Sequence, residues 1–409
     1  MLGYYFAVVT LVIALASFLY YSINSYMALS YSEEIRAPST DADVSDATVI
    51  VPVYEEDPET FKQCIEAIKL QGSKFIVVGD SSNEPYRKIT TGNGGSFIFL
   101  KKHSGQRAAH AAAMKHVDTK YVLLVDSDTI IPPNALKSML SKMDDGIGGV
   151  GTRISIKPDG WVSYSAEFFQ RAKDVIFKAM ASSGYIFVVG GRCCLLRTSA
   201  VKGFMASEEF LESKVLGRKC IIAEDMHITN HMRKLGYKAV IDYGVNVVTD
   251  APRTFGSLFK QMVRWARGGY IYFLKDIADG AFFKNGALYS FEMFYIYLLP
   301  VTILVTGIIR IQIMMEYGAS NIIGSGIGSI GNLMFLNTKL MGSGVATYMG
   351  IAMIVSTIGT IVFLLTLLKF ITKSRLKTMA LGGITSLIMF LASIYALATV
   401  WKQDDWLTR

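Results

Sequence analysis

The hydrophobic positions form long uncharged runs near both ends of the chain and short runs in its middle. Residues 2–29 contain no charged residue, and about 20 apolar residues are enough to cross the ~30 Å hydrocarbon core of a membrane. The run is too long for the core of a signal peptide, has no basic region before it and lacks a clear small-residue cleavage site. It therefore predicts a retained transmembrane helix within residues 1–32.

Three further apolar runs predict a membrane region over residues 286–409. They cover residues 288–309, 345–368 and 379–401. Between the first two lies the Gly-rich segment 321–336, which is more interrupted than the spans. That interruption predicts a re-entrant or interfacial segment rather than another span.

Residues 40–285 have a different pattern, in which short β-rich apolar runs alternate with charged amphipathic segments. The predicted strands are 47–53, 75–80, 96–100 and 120–126, and the predicted helices are 59–70, 105–117 and 132–142. This alternation is typical of an α/β fold with a mainly parallel sheet, which binds ligands beyond the carboxyl ends of its strands. Asp80 and Asp126 both stand where a predicted strand ends, so we expect them near a ligand.

Composition supports the membrane interpretation and narrows the class of partner. The 409 residues are 51% hydrophobic and 18% charged, which is too apolar for an ordinary soluble protein. The formal net charge of +8 fits solvated surface and cytoplasmic membrane flanks, or attraction to anionic lipid and a phosphate-bearing substrate. The chain carries no Lys/Arg stripe typical of nucleic-acid-binding proteins, so no nucleic-acid partner is expected. Its four cysteines have neither zinc spacing nor a disulfide pattern, which predicts reduced thiols.

The positions of the basic residues predict the orientation in the membrane. Lys369, Lys373, Arg375 and Lys377 cluster between the last two predicted spans, and the positive-inside rule places that loop in the cytoplasm. Counting four spans from this loop places the α/β domain in the cytoplasm and both chain ends outside. We therefore expect an integral protein of the plasma membrane.

The segment VDSDT places Asp126 and Asp128 two residues apart in a turn after a strand. Two such carboxylates can share Mg²⁺ or Mn²⁺ with substrate phosphates, because these ions prefer oxygen ligands and keep positions for phosphate. The alternative is a helix-capping turn, since Asp and Ser are good caps. The apolar run before the turn and the IIPP sequence after it favour the metal site.

Two further segments suggest contacts to a nucleotide. Asp80 could accept hydrogen bonds from a nucleobase or a ribose, or it could be an ordinary turn residue. The segment HSGQR places Gly105 and Arg107 at the start of an Ala-rich helix. Backbone amides at a helix start and an arginine suit a phosphate or a uracil edge, and the alternative is the basic end of an amphipathic helix.

The segment AEDMHITN places Glu224 and Asp225 at a helix start. The helix dipole alone favours carboxylates there, whereas the functional interpretation is a general base that takes a proton from an attacking sugar hydroxyl. His227 and His231 lie four residues apart and could ligate zinc. Without a third ligand or an HExxH pattern, they are interpreted as structural.

The segment QMVRW brings Gln261, Arg264 and Trp265 onto one face of a helix. An indole can stack on a sugar ring, and Arg and Gln can bind a diphosphate. Residues 255–277 are also amphipathic, so the alternative is an interfacial helix whose Arg and Trp lie in the headgroup layer. The two interpretations are compatible, and interfacial helices are expected over 254–285.

The order of these motifs resembles that of the processive, membrane-integrated family 2 glycosyltransferases, which include hyaluronan, chitin and cellulose synthases. The resemblance is closest to the hyaluronan synthases and covers roughly residues 45–275. HSGQR resembles the family's HGGKR, DSDT matches as it stands, AEDMHITN resembles GDDRxLTN, and QMVRW matches QxxRW.

The resemblance implies a cytoplasmic GT-A fold, a UDP-sugar donor, Mg²⁺ or Mn²⁺, and a growing polysaccharide that leaves through a membrane channel. It implies that Asp80 lies at the uridine and that Asp128, with Asp126, lies at the metal and the diphosphate. It also implies that Asp225, beside Glu224, is the base, and that Gln261, Arg264 and Trp265 bind the diphosphate and the acceptor end. A single displacement would then give a β-linkage from an α-linked donor.

The chain also departs from this family. Gln106 stands where the family has Lys, and Arg192 stands where it has a small residue or Pro in an acceptor-binding loop. Cys193, next to it, would lie near the acceptor or would be a buried thiol. Two rival functions remain: transfer of one sugar to a lipid carrier, giving a glycolipid, and a membrane subunit that senses a nucleotide without turnover.

Overall fold

The computed structural model describes residues 2–31, 43–182, 185–215, 217–316, 343–371, 374–404 and 407. The strands are β1 Ala47–Val53, β2 Lys74–Asp80, β3 Ser96–Leu100, β4 Tyr121–Val125, β5 Thr129–Ile130, β6 Ile147–Ile156, β7 Cys193–Arg197, β8 Lys214–Val215, β9 Arg218–Lys219 and β10 Lys238–Thr249. The helices of the same region are α2 Pro58–Lys69, α3 Tyr86–Gly92, α4 Gly105–Met114, α5 Ala135–Ser141, α6 Gly160–Ala181, α7 Thr198–Met205, α8 Glu208–Leu211, α9 Glu224–Lys234, α10 Phe255–Ala278 and α11 Ala281–Lys284.

Eight of these strands form one sheet in the order β3-β2-β1-β4-β7-β6-β10-β5. Strands β1 to β4 are mutually parallel, β7 is inserted antiparallel between β4 and β6, and β10 is parallel to β6. The sequence ATVIVPV of β1 is apolar at almost every position because helices cover both faces of the central strands. The mainly parallel α/β prediction is confirmed, and the carboxyl ends of β1, β2 and β4 meet at one edge.

Three described helices are long and apolar enough to cross a membrane. They are α1 Leu2–Ser30, α12 Ala287–Glu316 and α13 Ser343–Phe370, with candidate spans Val8–Ser30, Ala287–Ile308 and Gly350–Phe370. This finding indicates a membrane protein and agrees with three of the four predicted spans.

The fourth predicted span, residues 379–401, differs from the structure. It is divided at Leu381 into the short helix α14 Arg375–Ala380 and the helix α15 Gly382–Ala398. A helix of 17 residues is about 26 Å long, which is less than the ~30 Å hydrocarbon core. The orientation of the chain ends depends on this count and stays a prediction, and the segment 321–336 lies outside the described residues.

Two long helices connect the sheet to the membrane helices. Helix α6 packs against α1, α13, α14 and α15, and helix α10 packs mainly against α15. Helix α10 begins with a capping box, in which Thr254 Oγ1 accepts a hydrogen bond from Ser257 N at 3.1 Å. It contains the QMVRW segment, which therefore lies between the sheet edge and the membrane region.

A buried carboxylate joins the end of α10 to its neighbours. Asp276 is fully buried, accepts a hydrogen bond from Asn230 Nδ2 at 2.8 Å and accepts another from the Tyr289 hydroxyl at 2.6 Å. Arg233 lies 3.4 Å from the same carboxylate and stacks over the Tyr289 ring. Helix α9, which carries Glu224 and Asp225, is thereby fixed to the first membrane helix after the sheet.

Candidate active site

A continuous cavity of about 2110 Å³ runs along the carboxyl edge of the sheet and on between the membrane helices. The residues that line its sheet half include Asp80, Gln106, Arg107, Asp126, Asp128, Arg192, Glu224, Asp225, Gln261, Arg264 and Trp265. The residues that line its membrane half include Tyr20, Tyr295, Leu299, Ile303, Phe363, Leu364, Met389 and Phe390. With the exception of Cys193, every residue predicted for the site lines this one cavity.

The turn after β4 holds Asp126 and Asp128 at the cavity wall. Asp126 donates its backbone N–H to the Arg192 carbonyl at 2.9 Å and accepts a hydrogen bond from Gln106 Nε2 at 3.2 Å. Burial, and then the negative charge of Asp128, raise the pKa of Asp126 to about 7. Two carboxylates that repel each other in a buried place are favourable for a bound cation.

This pair fits a hard divalent ion by its chemistry. Both groups offer oxygen atoms, and the Thr249 hydroxyl is next to them, donating to Asp128 at 3.4 Å. Among the described residues, no group of three or more His, Cys, Asp or Glu side chains is arranged to hold a metal. Two carboxylates would supply part of the coordination sphere of such an ion, and the remaining positions suit the phosphates of a substrate.

Asp80 braces the loop before α4. Its carboxylate accepts hydrogen bonds from Ser104 N at 2.8 Å and Gly105 N at 2.9 Å, and His103 Nδ1 lies 2.8 Å away. Gly105 has a positive φ of 82°, which favours glycine there. Asp80 therefore has a structural role in holding this loop, and it also lines the cavity. Its contact with a nucleotide stays a prediction.

The guanidinium of Arg107 was predicted to contact a substrate, but in the structure it is bonded to groups of the protein. Only 6% of Arg107 is exposed, and it donates to the carbonyls of Phe210 and Ile222 at 3.3 Å each. It also contacts His227 Nδ1 at 3.2 Å. The guanidinium thus fixes the segment before α9, because buried carbonyls attract its fixed fork of donors.

We expect Arg107→Lys to lower the melting temperature of the detergent-solubilised protein by several degrees. Lysine keeps the charge, but its single nitrogen does not match the geometry of two carbonyls that Nη1 and Nη2 bond separately. Each lost buried hydrogen bond costs ~1–2 kcal/mol. Thermal unfolding and the affinity for UDP should be measured together, with the exposed Arg218→Lys as the matched control. An unchanged melting temperature with strongly weakened UDP binding would instead favour the substrate role.

Glu224 and Asp225 begin helix α9 and face the cavity. The residue before them, Ala223, has a φ of 57°, in the left-handed region, and it lies under Gly268 of α10, where a side chain would collide with it. Asp225 Oδ1 accepts a hydrogen bond from Met226 N at 2.8 Å. Burial raises the pKa of both carboxyls, and for Glu224 the charge of Asp225 raises it further. A carboxylate with a raised pKa accepts a proton more readily than an exposed one.

The two histidines of α9 make structural contacts with neighbouring side chains. His227 Nδ1 is near Arg107 and, at 3.5 Å, near Ser213 Oγ, and burial lowers the pKa of His227 to about 3. His231 stacks on Phe204 with ring centroids 3.9 Å apart. The His227 ring also packs edge-on against Phe204, with centroids 4.9 Å apart, and these packing contacts agree with the structural interpretation.

Gln261, Arg264 and Trp265 all line the cavity from helix α10. Burial lowers the pKa of Arg264, and the nearby charges of Glu224, Asp225 and Asp126 oppose that shift. The indole of Trp265 stacks on Phe169 of α6, with centroids 5.4 Å apart and planes 22° apart. The three side chains therefore lie between the carboxylates of the sheet edge and the membrane half of the cavity.

Of the two interpretations of Cys193, an acceptor contact and a buried thiol, the structure agrees with the buried thiol. It is 2% exposed within β7 and packs among the apolar side chains of the sheet, outside the cavity lining. Burial raises the pKa of its thiol to about 12. The alternation of side chains along β7 turns it away from the cavity, so the acceptor contact expected of Cys193 has no geometric support.

Sequence reasoning did not identify Lys173 and Phe169 of helix α6, which also line the cavity. Burial lowers the pKa of Lys173 to about 8, while the charges of Asp174 and Asp225 act in the opposite direction. The pattern that could have found them is the amphipathic stretch of α6, which carries charged residues among its buried positions.

The sheet order and the carboxylates at its edge define a GT-A-like fold of the glycosyltransferase class. The family described as "Glycosyltransferase like family 2" matches residues 45–268. Because this match covers more than half of the chain, the protein belongs to that family.

Curated relatives share this region at low identity. The N-acetylglucosaminyltransferase of Azorhizobium caulinodans is 27% identical over 237 residues, covering 54% of this chain and 59% of that protein. Hyaluronan synthase 3 of Homo sapiens is 26% identical over 197 residues, covering 46% of this chain and 35% of that protein. The chain thus spans about half or less of the length of these two relatives.

Among solved structures, a mannosyltransferase from Pyrobaculum calidifontis, in complex with GDP-Man and Mn²⁺, superposes with a TM-score of 0.57 at 16% identity. The superposition covers 88% of this chain and 99% of that one. At this identity the likeness concerns the fold, and it extends beyond the sheet domain.

Proposed function

We propose that the protein is an inverting, membrane-embedded glycosyltransferase that uses a UDP-sugar to elongate a β-linked polysaccharide. The observation that carries the proposal is the single cavity that connects the Asp126–Asp128 turn, Asp225 and Trp265 with the membrane helices. The name of one sequence relative, an N-acetylglucosaminyltransferase, supports sugar transfer, and the name of another, a hyaluronan synthase, supports polymer formation.

The donor end of the cavity is the sheet edge. Asp126 and Asp128 would hold Mg²⁺ or Mn²⁺, which when bound supplies positive charge for the diphosphate that leaves. Arg264 has its buried guanidinium on the same side of the cavity, and such a group binds phosphate oxygens in a bidentate manner. Asp80 and its braced loop would contact the uridine.

Asp225 is the proposed base. Its carboxylate would take the proton from the acceptor hydroxyl as that oxygen forms a bond to the anomeric carbon. The bond from that carbon to the UDP oxygen breaks in the same step, and its electron pair leaves with UDP. One displacement inverts the anomeric centre, and UDP leaves without needing a proton.

The acceptor side begins at Trp265 and Phe169. Their stacked rings place a broad apolar surface between the carboxylates and the membrane half, and aromatic rings pack well against the C–H faces of sugars. An acceptor that enters from the membrane half would pass these rings before it reaches Asp225.

The lining of the membrane half favours a second candidate function. Leu299, Ile303, Phe363, Leu364 and Phe390 are apolar, and such a wall suits a lipid chain better than a hydrated glycan. In this alternative the protein transfers one sugar to a lipid phosphate and stops.

A donor screen on the full chain in nanodiscs distinguishes these functions. UDP-sugars, singly and in pairs, and GDP-mannose as a contrasting donor would be offered with Mg²⁺ or Mn²⁺, while nucleotide release and product mass are recorded. We expect UDP release with a high-mass product. A product of one sugar on lipid would replace elongation by the second candidate, and nucleotide release only from the GDP-sugar would contradict the UDP assignment. No turnover with any donor would contradict both and favour a nucleotide-sensing subunit.

A further inference from the structure

Asp128 already has a cationic partner within the chain. Arg192 Nη1 lies 3.3 Å and 3.5 Å from the two carboxylate oxygens of Asp128. The same nitrogen donates a hydrogen bond to Thr249 Oγ1. Both side chains are largely shielded, with 15% of the Arg192 side chain and 25% of the Asp128 side chain exposed.

The backbone holds this arginine in place. The carbonyl of Arg192 accepts the N–H of Asp126, so the residue is fixed to the same turn that it neutralises. The preceding residue, Gly191, lies close to Asp225, because a Cβ atom added at this glycine would be 3.3 Å from Asp225 Oδ2. Arg192 therefore lies between the proposed metal site and the proposed base, with its charge directed at the former.

A guanidinium on Asp128 competes with any divalent cation for the same oxygens. A diphosphate is a better partner for this group than a single carboxylate, because it offers several oxygens in the geometry that the fork of donors matches. Arrival of the diphosphate would draw the guanidinium away and free the carboxylate. Binding of the nucleotide and of the cation would then favour each other, and by linkage the effect is reciprocal.

We propose that Arg192 is a built-in counter-ion of Asp128 that suppresses binding of the divalent cation alone and couples it to binding of the nucleotide diphosphate. The proposal rests on the proposed function, since it assumes a diphosphate-bearing donor. It makes Arg192 a residue that sets the order and the cooperativity of binding, rather than an acceptor contact.

The test measures binding of Mn²⁺ by the full chain in nanodiscs, from the electron paramagnetic resonance of free Mn²⁺, with and without UDP. For Arg192→Gln we expect roughly tenfold tighter binding of Mn²⁺ alone, because one charge-assisted competitor is gone. Binding of UDP in the presence of Mn²⁺ should be roughly tenfold weaker, and the factor by which UDP strengthens Mn²⁺ binding should fall by a similar amount.

Three further variants keep the result interpretable. Arg192→Lys retains a cation and should bind Mn²⁺ alone within about threefold of the wild type. In an Asp128→Asn background, Arg192→Gln should no longer change Mn²⁺ binding, because the carboxylate for which Arg192 and Mn²⁺ compete is absent. Arg218→Gln, at an exposed position, is the matched control for loss of an arginine.

Unchanged or weaker Mn²⁺ binding by Arg192→Gln would overturn the proposal, and so would equally tight binding by Arg192→Lys and Arg192→Gln. If the wild type binds both Mn²⁺ and UDP and Arg192→Gln behaves identically, only this inference fails. If the wild type binds Mn²⁺ but neither UDP nor a UDP-sugar, both this inference and the proposed function fail.

Discussion

Asp225→Asn is expected to reduce the rate of sugar transfer by roughly a thousandfold while UDP binding survives, because a positioned general base contributes about 10²- to 10⁴-fold. Asparagine has nearly the same shape and can still accept the hydrogen bond from Met226 N, but its amide oxygen cannot take up a proton at neutral pH. The removal of one negative charge also weakens repulsion of the diphosphate. Initial rates of UDP release and the affinity for UDP would be measured on the same preparation.

Two variants make this result specific. Glu208→Gln changes an exposed carboxylate outside the cavity and should leave the rate unchanged. Glu224→Gln changes the neighbouring buried carboxylate, whose charge stabilises the cationic form of Arg264, and should mainly weaken donor binding. Loss of transfer in Glu224→Gln together with retained transfer in Asp225→Asn would reassign the base to Glu224.

Asp128→Asn is expected to weaken Mn²⁺-dependent binding of UDP by roughly a hundredfold or more. The substitution keeps the side-chain volume but removes one of two anionic ligands. The single remaining carboxylate, that of Asp126, does not bind a hard divalent cation strongly enough to compete with its hydration by water. Transfer would fall in parallel with UDP binding, in contrast to Asp225→Asn, which should lower the rate without weakening UDP binding.

Binding of UDP should be titrated with and without Mn²⁺, because the metal-independent part of the affinity is expected to remain. Asp118→Asn is a suitable control, since 93% of that side chain is exposed and it pairs only at the surface with Lys202. Full Mn²⁺-dependent binding by Asp128→Asn would mean that the turn after β4 is not the metal site.

The arrangement of helices explains how catalysis and the membrane could be connected. Helix α10 carries Arg264 and Trp265 into the cavity and, in its last turn, carries Asp276, which is hydrogen-bonded to both α9 and the membrane helix α12. The helices that carry the proposed base and Arg264 are therefore fixed to the membrane helix α12 by buried contacts.

The sequence by itself determined the elements with a clear hydrophobic period. The strand predicted over 47–53 is observed with those bounds, and the apolar run 2–29 is part of the helix Leu2–Ser30. Motif positions after strands also predicted that Asp80 and Asp126 lie near a ligand, and both line one cavity, because parallel strands end at a common edge. These features depend on local patterns, which the order of residues specifies directly.

Only the tertiary structure decided where individual side chains point and which neighbours they meet. Arg107 turned out to hold carbonyls of a segment more than a hundred residues away, and Cys193 faces the core of a strand whose two faces are both apolar. The position of Lys173 at the cavity and the pairing of Arg192 with Asp128 also emerged only from the packed structure. Such contacts join residues far apart in the chain, and their geometry is set by the packing of whole helices and strands rather than by any local period.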